Sequence, residues 1–323
     1  DGALSRAEAD FRPRPGQTEM AMAVAQTIEH GGALVVEAGT GVGKTFSYLV
    51  PALLSGERVL LSTATKALQD QVFGRDLPRL VEALGLPVRT ALLKGRASYL
   101  CLHRLAQARQ ADAAHDGSVA QALARIEQWA QATRTGDLAE LPGLDERSGA
   151  MALVTSTRDN CLGSQCPQFR ECHVNLARRE ALAADVVVIN HHLFFADLAV
   201  RESGMAELLP TVRVVVFDEA HQVNETGVLF LGVQLGVAQL LDFARDLLAT
   251  GLQKARGMAD WQGLCAQMER AVRDLRLVAD GVPNATRLAW TDEAPDGLPV
   301  AAWRAALEQI AQACTQVLSS LDV

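Results

Sequence analysis

The first half of the chain alternates apolar runs of strand length with segments of helical periodicity. The apolar runs lie at 34–37, 59–62, 88–93, 184–190 and 212–217. The segments at 46–54 and 67–84 instead show the 3.6-residue spacing of helices. Strands that alternate with helices are typical of an α/β fold with a parallel sheet. We therefore predict one such sheet, built from the residues before about 225.

Residues 101–182 show helical stretches but no clear strand. Because strand-like runs resume at 184, this region is predicted to be an insertion between strands of one sheet. From about 226 onward the chain is helical and rich in Ala, Leu and Gln, and its apolar positions recur at helical spacing. Those positions are Leu240, Leu241, Ala244, Leu247 and Leu248.

A glycine-rich segment follows the first apolar run, between a predicted strand and a predicted helix. It contains Ala38, Gly39, Thr40, Gly41, Val42, Gly43, Lys44 and Thr45. Its small residues allow the backbone to curl so that successive N–H groups face an anion, while Lys44 reaches the terminal phosphates and the Thr45 hydroxyl ligates Mg²⁺. Ala38 replaces the usual first glycine. An ordinary strand–helix turn is the alternative, but the segment favours a nucleoside triphosphate site.

An acidic motif ends the last apolar run of the sheet. Asp218, Glu219, Ala220 and His221 follow the β-branched run at 212–217. Beside a phosphate loop, Asp218 can hold Mg²⁺ and Glu219 can orient or deprotonate the attacking water. Two acids at a helix N-terminus are the alternative interpretation. The two motifs together indicate an ATPase of the helicase type.

Charge is unevenly distributed along the chain. The net charge is −8, yet residues 58–109 carry nine Lys and Arg against three Asp and Glu. A local basic stretch can serve a groove for a phosphate backbone, although it is more often a solvated surface. No run approaches the ~18 apolar residues of a membrane span, and no secretory signal is seen at the start, so no membrane partner and a cytoplasmic location are expected.

Four cysteines form a second constellation. Cys161, Cys166 and Cys172 have C-x4-C-x5-C spacing in a loop-like segment, and Cys101 lies before a predicted helix. Four thiolates suit tetrahedral Zn²⁺ or an iron–sulfur cluster, and these spacings are wider than the C-x2-C pairs of zinc ribbons. Buried structural thiols are the third alternative. For Cys265 and Cys314, in helical surroundings, a core thiol is the favoured interpretation.

The order of the motifs resembles the iron–sulfur superfamily 2 DNA helicases, the group that includes DinG and XPD. The resemblance is carried by RPGQ at 14–17, the phosphate loop, STATKALQDQ at 62–71, LKGRASYLC at 93–101, NCLGSQCPQFREC at 160–172 and DEAH at 218–221. The stretches LVTSTRDNCLGSQCP and DVVVINHHLFFADL are most similar to the bacterial YoaA branch. The resemblance extends to about residue 235.

The resemblance implies an α/β fold: a P-loop, RecA-like parallel sheet with an inserted iron–sulfur domain and a helical arch. Residues 1–100 would begin motor domain 1, 101–182 would form the cluster domain, 183–225 would continue the motor, and 226–323 would be part of the arch. The strand that returns to the sheet after the arch, and the second motor domain with its arginine finger, have no counterpart in this sequence.

The resemblance also implies roles for individual residues. Gln17 would read adenine, and His221 would couple the ATP site to DNA. Four ligands of a [4Fe-4S] cluster would be Cys101, Cys161, Cys166 and Cys172. Segments near the DNA path contain Lys66, Lys94, Arg96 and Tyr99. Asn190 and His191 also fall on such a segment, with a turn cap and a satisfied core histidine as the alternatives.

The implied parent is an ATP-dependent 5′–3′ DNA helicase of repair or replication, acting on single-stranded and forked DNA, with the clamp-loader chi subunit as an expected partner. Because hydrolysis needs charge stabilisation between two lobes, the 323-residue chain is expected to be a poor ATPase alone. The alternatives are a P-loop ATPase with a four-cysteine zinc site, and a DNA-binding module without catalysis.

Overall fold

The computed structural model describes residues 14–39, 43–110, 117–145, 148–157, 160–202, 208–233, 235–283 and 286–321. The chain divides into two compact units, Asp1–Gly232 and Val233–Val323. Each unit is described separately. The boundary falls a little later than the expected start of the helical region at 226.

A four-stranded parallel sheet forms the centre of the first unit. Its strands are β1 (Val59–Thr63), β2 (Thr90–Leu92), β3 (Val186–Asn190) and β4 (Val214–Phe217), in the order β2-β3-β1-β4. The parallel α/β fold predicted from the sequence is confirmed. Because all four strands run in one direction, their carboxyl ends share one edge, where parallel sheets bind ligands.

The predicted strand at 34–37 is wrong for this structure. These residues lie outside the sheet, and Val35 is 94% exposed. The described residues contain no strand on the outer side of β4, where Val215 is 42% exposed. Residues 34–37 form no ladder with this open edge or with any other described strand, so their apolar side chains remain in solvent.

Helices cover both faces of the sheet because its strands alternate their side chains between two cores. The first face packs against four helices: α1 (Pro15–His30), α2 (Lys44–Leu54), α3 (Lys66–Gln71) and α4 (Leu77–Leu84). A π-helical turn joins α3 to α4. The core of this face contains Leu49, Leu53, Val59, Leu61, Leu77, Leu80, Val186 and Val188. The opposite core contains the intervening strand residues Leu60, Val187 and Ile189. The strands are therefore buried on both sides, as their continuous apolar runs predicted.

The insertion between β2 and β3 has a small core of its own. The helices α5 (Leu102–Gln110), α6 (Gly117–Ala130) and α7 (Gly149–Val154) surround Leu100, Leu105, Leu123, Ile126, Leu138 and Val154. The last helix of the region, α8 (His173–Ala183), instead contributes Ala177 and Ala181 to the second core of the sheet. The sheet is completed on that side by α9 (His191–Glu202), and α10 (Val223–Leu231) follows β4.

Three helices make the second unit. They are α11 (Val237–Lys254), α12 (Trp261–Val278) and α13 (Val300–Leu321). Their shared core includes Leu240, Ala244, Leu247, Trp261, Met268, Ile310 and Val317. Cys265 is buried in this core and Cys314 packs against it, as expected of core thiols. Among the helices described in either unit, none combines the length and the apolar character that crossing a bilayer requires.

Candidate active site

The phosphate loop leads into α2, which begins at Lys44. Gly43 precedes it with φ 86°, a left-handed conformation that suits glycine. A Cβ at Gly43 would lie 1.9 Å from Nε2 of Gln17, so a side chain has no room there. The Gln17 amide therefore lies against Gly43. Ala38 and Gly39 are among the described residues, whereas Thr40, Gly41 and Val42 lie outside them.

The predicted phosphate lysine and the predicted base meet directly. Nζ of Lys44 lies 3.1 Å from Oε1 of Glu219, and both side chains are about one-third exposed, at 30% and 32%. The other carboxylate oxygen of Glu219 is 3.4 Å from Nδ1 of the exposed His221. The sheet therefore brings together residues that are 175 positions apart in sequence. The lysine predicted for phosphate and the carboxylate predicted for water therefore form an ion pair.

Glu219 has a strained backbone. Its φ of 55° is the one positive φ among the described non-glycine residues. Such a conformation costs on the order of 1–3 kcal/mol and persists where the surroundings enforce it. The Glu219 N–H donates to Oδ1 of Asp218 at 3.1 Å, and the Asp218 N–H donates to the Ser62 carbonyl at 2.9 Å. These bonds fix the turn that follows β4.

Asp218 is a partly buried acid beside a second acid. Burial and the neighbouring Glu219 charge raise the pKa of Asp218, and Tyr48 and Lys44 oppose that shift. The pKa of Tyr48 is also raised, by burial first and then by Asp218. The Tyr48 hydroxyl is buried without a hydrogen bond of good geometry to the described residues, yet it lies near both Thr45 and Asp218. Thr45 and Asp218, the two predicted Mg²⁺ ligands, therefore both lie near the Tyr48 hydroxyl.

A buried histidine lies behind the acidic turn. His191 follows β3, is fully buried, and has Nδ1 2.7 Å from Oγ of Ser62. Burial lowers the pKa of His191, and backbone groups of Asp218 and Glu219 oppose that shift. Its neighbour Asn190 accepts from the Leu193 N–H at 2.9 Å and so caps the first turn of α9. For Asn190 the turn-cap alternative is the one observed.

Cys101 lies near Cys166 and Cys172, two of the three cysteines of the loop. Cys101 directly precedes α5, and its backbone N–H donates to the Val154 carbonyl at 2.7 Å. The pKa of the Cys101 thiol is raised, by burial first and also by the nearby Cys166 and Cys172. The backbone N–H groups of Arg104 and His103 oppose this shift. Cys172 similarly stands at the N-terminus of α8. Thiolates are stabilised by such helix ends.

Arg178 lies near Cys161, the remaining cysteine, and near Cys172. Burial and the nearby Arg96 lower the pKa of Arg178, and Cys161 and Cys172 oppose the shift. Within the described part of the chain, no three His, Cys, Asp or Glu side chains lie close enough together to hold a single metal ion. Arg178 lies near two of the thiols, and Arg96 lies near Arg178.

The four predicted DNA contacts divide into two pairs. Lys66 is exposed at the start of α3, and Arg96 is partly exposed and donates to the Thr157 carbonyl at 3.4 Å. Lys94 and Tyr99 are each 3% exposed. Nζ of Lys94 lies 2.6 Å from carboxylates of both Asp70 and Asp137. The expectation of DNA contact is therefore corrected for Lys94 and Tyr99, because burial leaves them no surface for a phosphate.

Comparison with known proteins agrees with the geometry of the site. Residues 15–114 match the family described as DEAD/DEAH box helicase. The ATP-dependent DNA helicase YoaA of Haemophilus influenzae is 45% identical over 284 residues, which cover 88% of this chain and 44% of that protein. The chain belongs to the DinG/YoaA group of DEAD/DEAH box helicases. It spans less than half the length of these relatives.

Two further relatives carry the DinG name. The ATP-dependent helicase DinG of Mycobacterium tuberculosis is 40% identical over 286 residues, covering 81% of this chain and 42% of that protein. A protein of Bacillus subtilis named 3′-5′ exonuclease DinG is 30% identical over 265 residues, covering 79% of this chain and 27% of that protein. The group resemblance drawn from the motifs is confirmed.

The sequence did not predict three residues near the functional groups: Ser62 and Tyr48 near the acidic turn, and Arg178 near the thiols. Ser62 and Tyr48 each lie in a segment that was recognised, but their partners are on other strands or turns. Arg178 stands six positions after Cys172, a separation that does not place two residues on one face of a helix, so its proximity to the thiols had no local signal. For Ser62 and Tyr48 no local pattern carried the signal, because each contact is between distant segments.

Proposed function

We propose that the full-length protein carrying this chain is an ATP-dependent DNA helicase, in which ATP hydrolysis drives single-strand translocation and duplex unwinding. The observation that carries the proposal is the meeting of Lys44 and Glu219 at 3.1 Å, with Asp218 beside them, at the carboxyl edge of a parallel sheet. This arrangement supplies a phosphate cation, a metal ligand and a base in one cleft. The names of the relatives agree with it.

The residues of the cleft divide the chemistry among them. Gln17 reads adenine from its position on the loop, and Lys44 leaves Glu219 to bind the terminal phosphates. Thr45 and Asp218 would hold Mg²⁺, which would supply positive charge against the developing phosphate charge. Glu219 then orients or deprotonates the attacking water. His221, close to Glu219 and exposed, connects this base to DNA-dependent changes on the surface.

DNA binding is proposed for the basic stretch at 58–109. Lys66 and Arg96 are the exposed members that remain from the sequence expectation, and Arg178 joins Arg96 beside the cysteine loop. Lys66 stands at the N-terminus of α3, where backbone N–H groups also attract phosphate. The preferred substrates are single-stranded and forked DNA. Movement is 5′ to 3′, by resemblance to the group.

The cysteine group is proposed to hold a [4Fe-4S] cluster. The donor set suits one in chemical type, since Cys101 and Cys172 stand at helix N-termini that favour thiolates, but within the described residues the four thiols do not converge on one point. Cys101, Cys161, Cys166 and Cys172 would be the ligands. When bound, the cluster would crosslink the insertion to the end of the motor segment. The helical second unit would be part of the arch, and a second motor domain would complete the catalytic cleft.

Cellular roles follow from the group alone. DNA repair or replication in the cytoplasm of a bacterium is the proposed setting, and the clamp-loader chi subunit is the proposed protein partner. A zinc ion held by the same four cysteines, in a DNA-binding ATPase, is the competing proposal for the thiols. Metal analysis of the purified protein separates the two, since iron with inorganic sulfide supports the cluster and stoichiometric zinc refutes it.

Strand-displacement assays test the function. Forked duplexes with a free 5′ tail should be unwound by the full-length protein with ATP and Mg²⁺, whereas duplexes with a 3′ tail alone should not. An Arg213→Ala variant, altered at an exposed ion pair with Glu57, serves as the control and should unwind normally. Unwinding from 3′ tails alone would contradict the direction. ATP-independent degradation of the strand would instead favour a nuclease.

A further inference from the structure

We infer that His191 is a positioning residue that joins the end of β1 to the acidic turn, so that the DNA-side segment and the catalytic base respond to one another. The inference rests on the proposed function and assigns a residue to its coupling step. β1 lies between β3 and β4, and His191 begins directly at the end of β3. A side chain at this point can touch the ends of all three strands.

The contacts of His191 extend across those strand ends. Its Nδ1 lies 2.7 Å from Oγ of Ser62 on β1, and both residues are fully buried. Its ring centroid lies 5.9 Å from that of Phe217, the last residue of β4. The ring also approaches the backbone of Asp218 and Glu219. One imidazole therefore supports the turn that carries the metal ligand and the base.

That turn needs support because Glu219 has φ 55°. A conformation of this kind is held by its surroundings. Nε2 of His191 is buried and makes no hydrogen bond to the described residues. An unsatisfied polar atom is unfavourable, and an apolar side chain of similar shape would avoid that cost. Backbone of Glu219 lies near this ring, so a rearrangement of the acidic turn when Lys44 exchanges its carboxylate partner for phosphate would reach His191.

The other end of the connection leads to the proposed DNA surface. Ser62 is followed by Thr63, whose hydroxyl donates to the Thr65 carbonyl at 3.2 Å. Oγ1 of Thr65 accepts from the Leu68 N–H at 3.2 Å and caps α3, which begins at Lys66. Contacts are therefore continuous from Lys66 through Ser62 and His191 to the acidic turn. A displacement of α3 on DNA binding would reach the base by this route.

Four variants of the full-length protein test the role: Ser62→Ala, His191→Gln, their double variant, and His192→Gln as a matched control. His192 is the exposed neighbour of His191 and contacts the Phe230 ring instead. The measurements are kcat and KM for ATP with saturating single-stranded DNA, nucleotide affinity, and thermal unfolding. Ser62→Ala and His191→Gln should each lower kcat about tenfold, equivalent to about 1.4 kcal/mol, with KM within about twofold.

The double variant distinguishes one connection from two separate defects. If Ser62 and His191 act together, the double variant should lose no more activity than the more impaired single variant. His192→Gln should behave as wild type. Additive losses, or kcat within about twofold of wild type in both single variants, would overturn the inference. If His191→Gln fails to fold, Ser62→Ala decides alone. A wild type without DNA-stimulated turnover would refute the proposed function itself.

Discussion

Nζ of Lys44 lies 3.1 Å from Oε1 of Glu219, so the phosphate cation and the base neutralise one another when no nucleotide separates them. A partly exposed pair of this kind contributes only about 0–1 kcal/mol to stability. A triphosphate offers Lys44 more negative charge than one carboxylate does. We therefore expect the contact to yield to ATP and to release Glu219 for the attacking water.

Glu219→Gln should separate binding from hydrolysis. Without the carboxylate, Lys44 has no competing anion and the triphosphate meets less repulsion, so ATP affinity should rise several-fold. The kcat should fall by about 10²–10⁴-fold, because the base is lost. Equilibrium binding and steady-state turnover measure the two effects. The control is Glu57→Gln, at an exposed ion pair with Arg213. Weaker ATP binding in Glu219→Gln would show that the Lys44 contact does not compete with nucleotide.

Asp218→Asn should stabilise the fold at pH 7 while it removes Mg²⁺-dependent hydrolysis. Burial and Glu219 raise the pKa of Asp218 above its unfolded value. Its contribution to stability is therefore present below the unfolded pKa and lost as pH rises through the folded pKa. At pH 7 the ionised group opposes folding, and a neutral amide does not. Urea unfolding without Mg²⁺ at pH 7 measures the gain.

Asp185→Asn provides a comparison of opposite sign. The Arg89 N–H and side chain lower the pKa of Asp185, so this group stabilises the fold above its unfolded pKa, and the stability is lost as pH falls through the folded pKa. Asp185→Asn should therefore destabilise slightly at pH 7. Equal signs for the two variants would show that the raised pKa of Asp218 has been misassigned.

Lys94→Met should loosen the insertion from the sheet. Burial alone would lower the pKa of Lys94, but hydrogen bonds to Asp137 and Asp70 outweigh it and raise the pKa. Removing the cation leaves two carboxylates facing one another, one of them buried, at a cost of about 3–5 kcal/mol. Urea denaturation measures the loss. Adding Asp137→Asn should recover part of it, and Arg213→Met should cost about 0–1 kcal/mol. A Lys94→Met protein as stable as wild type would contradict this assignment.

Cys166→Ser should remove iron and expose the insertion to protease at 102–180. Three ligands come from one loop and the fourth from Cys101, so the bound cluster would close a long chain segment. Single-strand binding should weaken because Arg96 and Arg178 lose their fixed neighbours. ATP affinity should change little. Iron assay, limited proteolysis and nucleotide binding test this on one sample, with Cys314→Ser as the control. An iron-free variant that resists protease and binds DNA normally would point to another role for the thiols.

The parts of the structure that sequence predicted are those with strong local patterns. β1, β3 and β4 are short, mainly apolar runs, and the acids at Asp218 and Glu219 follow β4. The loop at Gly43 leads into α2, and its phosphate-binding pattern was recognised from its own residues. The sequence could not show that Lys44 pairs with Glu219, because 175 positions separate them.

The failures have physical causes of the same kind. Residues 34–37 carry a strand pattern but pair with no described strand, although the outer edge of β4 is open, so the pattern alone was insufficient. Lys94 lies in a basic stretch that suggests a surface, yet Asp70 and Asp137 from separate segments enclose it. Ser62 and His191, 129 positions apart, form a contact that no local pattern contains. In each case the outcome depended on contacts, made or missing, with residues distant in sequence.

ATP turnover with and without single-stranded DNA, in the full-length protein and its Lys44→Ala variant, tests the central claim most directly. The wild type should hydrolyse ATP and accelerate when DNA is added. Lys44→Ala should lose turnover by about 10²–10³-fold, the effect of removing one preorganised charge from a transition state, with thermal unfolding and iron content unchanged. Residues 1–323 alone should turn over far more slowly than the full-length protein. DNA-stimulated turnover near the wild-type rate in Lys44→Ala would contradict the assignment of this cleft as the catalytic site.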